Sequence, residues 1–349
     1  TVKVEKMLYE GSGLARIDNL PVFIEGACPG DLLNVKITKI NKNYLTAQIV
    51  DIVEPSKNRV KPFCPLHNVC GSCSWQHIEY SEQLKQKKNI VYETLKHITG
   101  KDFEINDTIP SPKTKHFRCK VQYPVSQTKV SKRILSGYYK TNSHELINIK
   151  YCPIQPNIIN DINEFLKSEA QKLNISGYDE KKHFGLLKHI IYRISSNKKY
   201  ILVILVLNSD NTNKDIRELA EILRFKYPQI TGVCANFNPK KTNVIMSDKT
   251  QIISGSDFYI EELEGIKYKV SANSFFQVNP LSAVNIFNKV KELLSQKLTN
   301  PVVLDAYSGV SSIGIWLSSI TSKVICVEEV KSAADDAKEN IKLNKLTNI

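Results

Sequence analysis

Hydrophobic and polar positions alternate with a period of two in the first part of the chain. Leu33, Val35 and Ile37 are separated by single polar residues, and the alternation returns at 45–49 after a polar turn. This period places successive side chains on opposite faces of a β-strand. Several short strands within so few residues predict a small OB-like β-barrel over residues 1–55.

The pattern changes over residues 56–255, where apolar residues occur in short runs or recur every three to four positions. Runs predict strands and the longer period predicts helices, which together indicate a central α+β domain. The predicted strands are 121–125, 190–194 and 201–207, and the predicted helices are 81–99, 156–173 and 214–226. For the first helix, Ser81 is the expected N-cap and Gly100 the expected end. Its expected buried stripe is Leu84, Val91, Leu95 and Ile98.

Residues 256–349 begin with β-like patterns and then alternate between strand and helix. In "PVVLDAYSGVSSIGIWL", a short apolar strand ends near Asp305 and leads through a glycine-containing turn into an apolar helix. A second apolar strand ends at Glu328, and a further helix is expected at 331–344. This order predicts the first βαβ unit of a doubly wound sheet, whose ligands bind at the carboxyl ends of the strands.

The loop of this unit reads D-x-x-x-G-x-S, which differs from a dinucleotide fingerprint. An acid inside the loop would repel a pyrophosphate, so a cationic ligand without phosphate, such as S-adenosylmethionine, fits better. Glu328 stands where a carboxylate can accept hydrogen bonds from both ribose hydroxyls. Upstream, Gln277 in "SANSFFQVNP" is a candidate ligand contact. A purely structural βαβ unit and an ordinary loop amide are the alternatives.

"CPLHNVCGSCSWQH", residues 64–77, holds three cysteines in a C-x5-C-x2-C arrangement. Such spacing brings three thiolates near one point, and both tetrahedral zinc and a cubane iron–sulfur cluster need a fourth ligand. Cys152, followed by Pro153, is the favoured fourth ligand, and Cys119 is its rival. His67 and His77 could instead complete a zinc site. The spacing favours iron–sulfur and leaves zinc open.

The net charge of +13, from 48 Lys and Arg against 35 Asp and Glu, favours a polyanionic partner such as nucleic acid. Lys36 and Lys39 could supply phosphate contacts, although a lysine-rich composition explains them equally well. The sequence shows no apolar run long enough for a membrane span and no secretory signal. Most cysteines are scattered, which favours a reducing cytoplasm.

Together these motifs resemble the uracil-C5 RNA methyltransferases, which make 5-methyluridine in ribosomal and transfer RNA. The stretches that carry the resemblance are "EGSGLAR", "FIEGACPGD", the cysteine motif with "SEQLKQKK", "HFRCKVQYPV", "SFFQVNP" and "VLDAYSGVSSIGIWL". The resemblance implies a TRAM barrel, a central domain and a class I methyltransferase domain. It implies methylation of uridine C5, in 23S ribosomal RNA above transfer RNA uridine-54, by a cytoplasmic monomer.

The resemblance also implies two cofactors. A [4Fe-4S] cluster would be held by Cys64, Cys70, Cys73 and Cys152. S-adenosylmethionine would be bound by Gln277, Tyr307, Ser312 and Glu328. The sequence departs from the family where Ser311 replaces a glycine, which predicts strain if the turn requires a positive φ.

No catalytic residue is assigned, because the nucleophilic cysteine and general base of the family have no counterpart here, and Cys326 lies within a predicted strand. The sequence therefore predicts an incomplete, inactive chain. A non-catalytic RNA-binding module with structural zinc is the alternative from another class. A small-molecule methyltransferase is disfavoured by the barrel and the charge, and a radical enzyme by the absence of a C-x3-C-x2-C motif.

Overall fold

A computed structural model describes all 349 residues, which form two compact units. The N-terminal unit comprises Thr1–Pro110 and Tyr139–His144, and the second unit comprises Ser111–Tyr138 and Glu145–Ile349. Strands and helices follow each other along both units, so the predicted mixed α/β class is confirmed. No helix is long and apolar enough to cross a membrane. The three-domain division at 1–55, 56–255 and 256–349 stays a prediction.

The N-terminal unit contains one six-stranded sheet with the strand order β1-β5-β6-β4-β3-β2. Neighbouring strands are antiparallel except β4 and β6, which run parallel. The apolar and polar positions of β5 face opposite sides, as predicted, since Leu33 is fully buried while Lys36 and Lys39 are exposed. The strands are β1 Val2–Lys3, β2 Lys6–Met7, β3 Gly13–Ile17, β4 Leu20–Ile24, β5 Leu32–Ile40 and β6 Leu45–Glu54.

A buried ion pair joins the turn before β5 to the segment that leaves β6. The Asp31 carboxylate is fully buried and accepts hydrogen bonds from the backbone N–H groups of Cys28 (2.7 Å) and Ser56 (2.9 Å). The guanidinium of Arg59 donates to the same carboxylate, with Nε 3.1 Å from Oδ1. A buried charge is tolerated only when it is paired and hydrogen-bonded, and Asp31 meets both conditions.

Helix α1, Tyr80–Thr99, ends at Gly100 as predicted, with a left-handed φ of 69°. Its N-cap is Glu79 rather than the predicted Ser81, because the Glu79 carboxylate accepts the N–H groups of Ser81 and Glu82. Serine is the commoner cap, but a carboxylate also satisfies free N–H groups and favours the positive end of the helix.

The predicted buried stripe of α1 is wrong. Val91 and Ile98 are 48% and 73% exposed, and the buried side chains are Glu82 and Gln86. Gln86 accepts the N–H of Met7 at 3.0 Å and donates to Glu82 at 2.6 Å. The helix is therefore held by polar bonds from its first two turns, while its apolar positions further along lie partly in solvent.

The second unit is built on a seven-stranded sheet with the order β13-β12-β11-β10-β7-β8-β9. Both faces are covered, as β11 shows by burying all seven of its residues. Helices α2 and α3 contribute to the core on one face. The elements are β7 Lys120–Gln127, β8 Ile134–Tyr139, β9 Leu146–Asn148, α2 Asn157–Lys172, β10 Leu187–Ile194, β11 Ile201–Leu207, α3 Lys214–Lys226, β12 Ile230–Phe237 and β13 Thr250–Gly255. The predicted strands and helices are confirmed here within a few residues.

The last elements of the second unit pack on the opposite face of that sheet, where Ile191, Ile204 and Cys234 join their core. They form a hairpin, a two-stranded parallel sheet and helices. Their bounds are β14 Phe258–Leu263, β15 Ile266–Ser271, α4 Pro280–Lys297, β16 Val302–Ala306, α5 Ser312–Leu317, a short 3-10 helix Ser318–Ile320, β17 Lys323–Val327 and α6 Lys331–Leu343. One face of the parallel pair is open, with Val302 and Leu304 each 64% exposed.

Candidate functional site

The parallel strands β16 and β17 are in register, with Asp305 beside Cys326. The loop 307–311 leaves the carboxyl end of β16 and enters α5, while Glu328 follows the carboxyl end of β17. The predicted βαβ arrangement is therefore present. Tyr307, Ser312 and Glu328 stand around one loop, at the end of the sheet where such folds bind ligands.

The loop has an unusual backbone. Tyr307, Gly309 and Ser311 have positive φ angles of 59°, 55° and 61°. Only glycine adopts this region without cost, and a non-glycine residue there stores about 1–2 kcal/mol. The strain expected at Ser311 is thus present. The Ser311 hydroxyl forms a hydrogen bond in this conformation, since its Oγ lies 2.9 Å from the thiol sulfur of Cys326.

Asp305 stabilises the loop from below rather than facing a ligand. Its Oδ2 accepts the N–H of Gly314 at 2.9 Å, within the first turn of α5. Burial raises the pKa of Asp305, and the Gly314 hydrogen bond opposes that rise. A Cβ at Gly314 would lie 2.8 Å from the Cys326 sulfur and 2.9 Å from the Ser311 hydroxyl. The close approach of strand and helix therefore requires glycine at 314.

The Glu328 carboxylate supports the loop from the side. Oε2 accepts the N–H of Gly309 at 2.7 Å, and Oε1 accepts the N–H of Val330 at 2.8 Å. Each carboxylate oxygen has a second lone pair. Glu328 can therefore hold the loop and still accept hydrogen bonds from a diol such as a ribose.

Two polar atoms near the sequence-predicted site are buried without a hydrogen-bond partner, namely Oε1 of Gln277 and Oγ of Ser308. Buried polar atoms are nearly always paired, so such exceptions point to a missing ligand or water. Ser312 is 7% exposed, and its carbonyl accepts the hydroxyl of Tyr268 at 3.2 Å. Tyr307 is 91% exposed and free to cover a bound molecule. These side chains fit a polar ligand such as S-adenosylmethionine.

Sequence reasoning predicted helix α6 but missed that it ties the Gln277 segment to the loop. Asp336 of α6 accepts the hydroxyls of Ser271 and Ser274, and Asn340, one turn later, donates to the carbonyl of Val310 at 3.2 Å. Asp336 and Asn340 are both almost completely buried. The sequence did contain a signal for them: Asp336 and Asn340 are four residues apart, on the same face of α6 as its small alanines.

Arg193 of β10 holds the same segment from the central sheet. It is 2% exposed, and its Nη2 donates to the carbonyl of Ser274, while its Nε has no partner. Burial lowers the pKa of Arg193, and the hydroxyl of Tyr259 and the carboxylate of Asp336 oppose that effect. The segment 271–280 is thus held between the central sheet and α6.

The predicted cluster ligands Cys64, Cys70, Cys73 and Cys152 stay a prediction. None of the eight cysteines forms a disulfide, and no group of three or more His, Cys, Asp or Glu side chains is placed to hold a metal ion. Cys64, Cys70 and Cys73 belong to the N-terminal unit and Cys152 to the second unit. The spacing of cysteines along the chain does not by itself fix where their sulfurs converge.

The histidines of the motif use their ring nitrogens elsewhere. Nε2 of His77 lies 3.0 Å from the carbonyl of Ala27 and must donate to it, so Nδ1 accepts from Nε2 of His67 at 3.1 Å. Burial lowers the pKa of both imidazoles, which favours their neutral forms. In this arrangement His77 has no lone pair left for zinc.

Comparison with known proteins agrees with this fold. A TRAM domain profile matches residues 1–50, and the profile described as tRNA (Uracil-5-)-methyltransferase matches residues 79–349. An uncharacterized RNA methyltransferase of Listeria innocua is 36% identical over 348 residues, which cover 99% of this chain and 75% of the relative. A relative of the same description from Clostridium acetobutylicum is 36% identical over 342 residues, which cover 97% of this chain and 73% of the relative.

One solved structure is similar over nearly the whole chain. It is the tRNA (uracil-54, C5)-methyltransferase of Pyrococcus abyssi in complex with S-adenosyl-L-homocysteine. The TM-score is 0.76 at 24% sequence identity, and the match covers 99% of this chain and 78% of the other. At this identity the likeness establishes the fold.

Proposed function

Since the chain belongs to the RNA (uracil-C5)-methyltransferase family with an N-terminal TRAM domain, we propose that it methylates C5 of uridine in RNA with S-adenosylmethionine as the methyl donor. The observation that carries the proposal is the loop 307–311 at the carboxyl ends of β16 and β17, supported by Glu328. We further propose that the protein acts as a monomer in the cytoplasm.

In this proposal Glu328 accepts the ribose hydroxyls of the donor, and Gln277, Tyr307 and Ser312 line the rest of its site. The unpartnered Oε1 of Gln277 supports this assignment, because a bound polar group would satisfy it. The donor supplies an electrophilic methyl group. The role of this chain is to orient that group and to exclude water.

Methylation at C5 requires activation of the uracil, because this carbon is a weak nucleophile. A thiolate adds to C6, and the electron pair of the C5–C6 bond becomes an enolate whose C5 accepts the methyl group. A base then removes the C5 proton, and the returning electron pair expels the thiolate. The uracil must leave the base stack to be reached, as in other enzymes that act on bases.

The thiols of Cys326, Cys119 and Cys234 do not suit this attack. Cys326 pairs with Ser311, and burial raises its pKa, partly opposed by that hydrogen bond. Burial raises the pKa of both Cys119 and Cys234 to about 12. A nucleophilic thiol needs a lowered pKa. We therefore propose that residues 1–349 taken alone do not form the adduct with uracil.

RNA containing 5-fluorouridine tests the chemistry, because fluorine at C5 cannot leave as a proton. The product of the complete gene should form a stable protein–RNA adduct that needs S-adenosylmethionine, visible as a retarded band under denaturing conditions. Residues 1–349 alone should give no such band. An adduct from residues 1–349 would refute the assignment of the thiols, and no adduct from either protein would refute the covalent route.

Two RNA classes are candidates for the substrate. We propose ribosomal RNA, because the C-x5-C-x2-C motif resembles that of the family members that act on 23S ribosomal RNA. Transfer RNA is the second candidate, because the similar Pyrococcus abyssi structure is a tRNA (uracil-54, C5)-methyltransferase. Methyl transfer to each purified RNA class distinguishes them.

The N-terminal sheet should contribute electrostatically to RNA binding. Replacing Lys36 and Lys39 by Glu should weaken binding and lower the slope of log affinity against log salt by about one for each lysine that pairs with a phosphate. Titration with ribosomal RNA at several salt concentrations measures the slope. Lys338→Glu with Lys342→Glu is a matched control, because both lysines already lie beside Asp335 or Glu339. An unchanged slope in the Lys36/Lys39 variant would show that these lysines are merely solvated.

The cluster is a separate proposal that rests on the cysteine spacing and on the resemblance of this motif to that of family members with a [4Fe-4S] cluster. Protein purified without oxygen should contain about four iron and four sulfide per chain, and Cys152→Ser should remove them while Cys234→Ser should not. Metal and sulfide analysis with absorption spectroscopy measures this. One zinc per chain and no colour would favour a structural zinc site instead. Absence of any metal would refute both the cluster and the zinc site.

A further inference from the structure

An exposed aromatic side chain stands at the tip of the loop 179–185, which precedes β10. Phe184 is 72% exposed, although the loop that carries it is firmly held. The N–H of Asp179 donates to the carbonyl of Phe184 at 2.7 Å, and the Asp179 carboxylate accepts the N–H groups of Lys181 and Lys182. The ring is therefore presented to solvent by an ordered backbone.

A glycine fixes the base of this loop. Gly185 has a φ of 103°, and a Cβ there would lie 2.2 Å from the carbonyl oxygen of Gly177. No other residue fits this position, so the loop conformation is set by the sequence. An aromatic ring on such a loop loses little conformational entropy when it binds a partner.

His183 joins this loop to a second one, residues 239–243. Its Nε2 lies 2.9 Å from the carbonyl of Pro239 and must donate, so its Nδ1 accepts the hydroxyl of Tyr178 at 2.6 Å. Both ring nitrogens are thus used within the protein. The two loops are held side by side.

Lys188 fixes the second loop from beneath. It is 4% exposed, and its ammonium donates to the carbonyls of Asn238 (3.0 Å) and Lys240 (2.9 Å). The ammonium also lies 4.9 Å from the centre of the Tyr178 ring. Its hydrogen-bond partners are neutral carbonyls. Burial lowers the pKa of Lys188, and the nearby Glu180 carboxylate opposes that shift.

The two joined loops carry four exposed lysines besides the exposed ring. Lys181 and Lys182 precede Phe184 in the first loop, and Lys240 and Lys241 lie in the second. The acidic residues of the first loop are Asp179, whose Oδ1 already accepts two backbone N–H groups, and Glu180. We name the combination of Phe184 with these four lysines the Phe184 patch.

We propose that the Phe184 patch binds an unpaired segment of the RNA, with a base stacked on the ring and the lysines close to the phosphates. Aromatic rings within a basic surface are the common means of holding single strands. An acidic protein partner would use the lysines but not the ring. The proposal rests on the function proposed above, and it adds a surface about 20 Å along β10 from Arg193, at the opposite end of that strand.

The test uses a fluorescein-labelled oligouridylate and an RNA duplex of the same length. Phe184→Ala should weaken oligouridylate binding about tenfold and leave duplex binding unchanged, while Phe184→Trp should retain wild-type affinity. Lys240→Ala with Lys241→Ala should lower the salt slope for the oligouridylate by about 1.4. Phe225→Ala is the matched control, since that ring is 90% exposed on α3, and it should change nothing.

The outcomes separate this inference from the proposed function. If Phe184→Ala behaves like Phe225→Ala while the wild-type protein binds RNA, the patch is not a docking surface and the proposed function stands. If duplex binding falls as much as oligouridylate binding, stacking of an unpaired base is refuted. If the wild-type protein binds neither RNA, both proposals fail. Equal melting temperatures of the variants show that each has folded.

Discussion

Replacing Glu328 by Gln should weaken binding of S-adenosyl-L-homocysteine about 100-fold. The carboxylate accepts the N–H groups of Gly309 and Val330, and an amide must turn its NH₂ group toward one of them. The variant also lacks the charged acceptor for the ribose hydroxyls. Hydrogen bonds to a charged group contribute about 1.5–3 kcal/mol each. The removal of one or two such bonds accounts for the expected change.

Isothermal titration calorimetry of the product of the complete gene measures this effect. Glu329→Gln is the control, because Glu329 is the exposed neighbour of Glu328, and its variant should bind within twofold of wild type. Equal affinities for the two variants would show that the loop 307–311 does not bind the ribose. The melting temperature without ligand should fall only slightly in Glu328→Gln.

Replacing Arg59 by Ala should lower the free energy of unfolding of the N-terminal unit by about 3 kcal/mol. The variant leaves the fully buried Asp31 carboxylate without its cation, and breaking a buried pair in this way costs about 3–5 kcal/mol. Arg16→Ala is the control, because the Arg16–Glu5 pair is about half exposed. An exposed pair contributes at most about 1 kcal/mol. Urea unfolding at neutral pH compares the two variants.

The same pair predicts the acid response of this unit. Burial alone would raise the pKa of Asp31, but the hydrogen bonds from Arg59, Ser56 and Cys28 outweigh it and lower the pKa. A lowered pKa contributes stability that is present above the pKa of the unfolded chain and is lost as pH falls through the folded value. In Arg59→Ala the guanidinium no longer opposes the effect of burial on Asp31, so the pKa of Asp31 rises. Acid unfolding should therefore begin at a higher pH. Identical acid profiles of wild type and Arg59→Ala would contradict this assignment.

The regular elements could be predicted because they depend on local patterns. The run 201–207 is apolar throughout and becomes the fully buried β11, and the helix predicted at 214–226 is α3 without change. The strain at Ser311 followed from the geometry of one turn. The apolar stripe of α1 failed because burial depends on what packs against a helix. Here polar bonds from Gln86 hold the helix to the N-terminal sheet.

The parts of the site that the sequence did not predict depend on distant residues. Asp336 and Asn340 reach Ser274 and Val310 across more than twenty intervening residues, and a local pattern contains no record of such pairs. The cysteine motif has the same limit. Its spacing indicates a shared metal but does not fix where the four sulfurs lie, so the ligand set stays a prediction.

The position of the methyl group on the RNA decides whether this protein methylates C5 of uridine. The product of the complete gene should be incubated with methyl-labelled S-adenosylmethionine and unmodified ribosomal or transfer RNA, and the RNA then digested to nucleosides for mass spectrometry. We expect label in 5-methyluridine alone, and much less of it when Glu328 is replaced by Gln. Label on a ribose, on a ring nitrogen or on another base would contradict this expectation, as would the absence of label from both RNA classes.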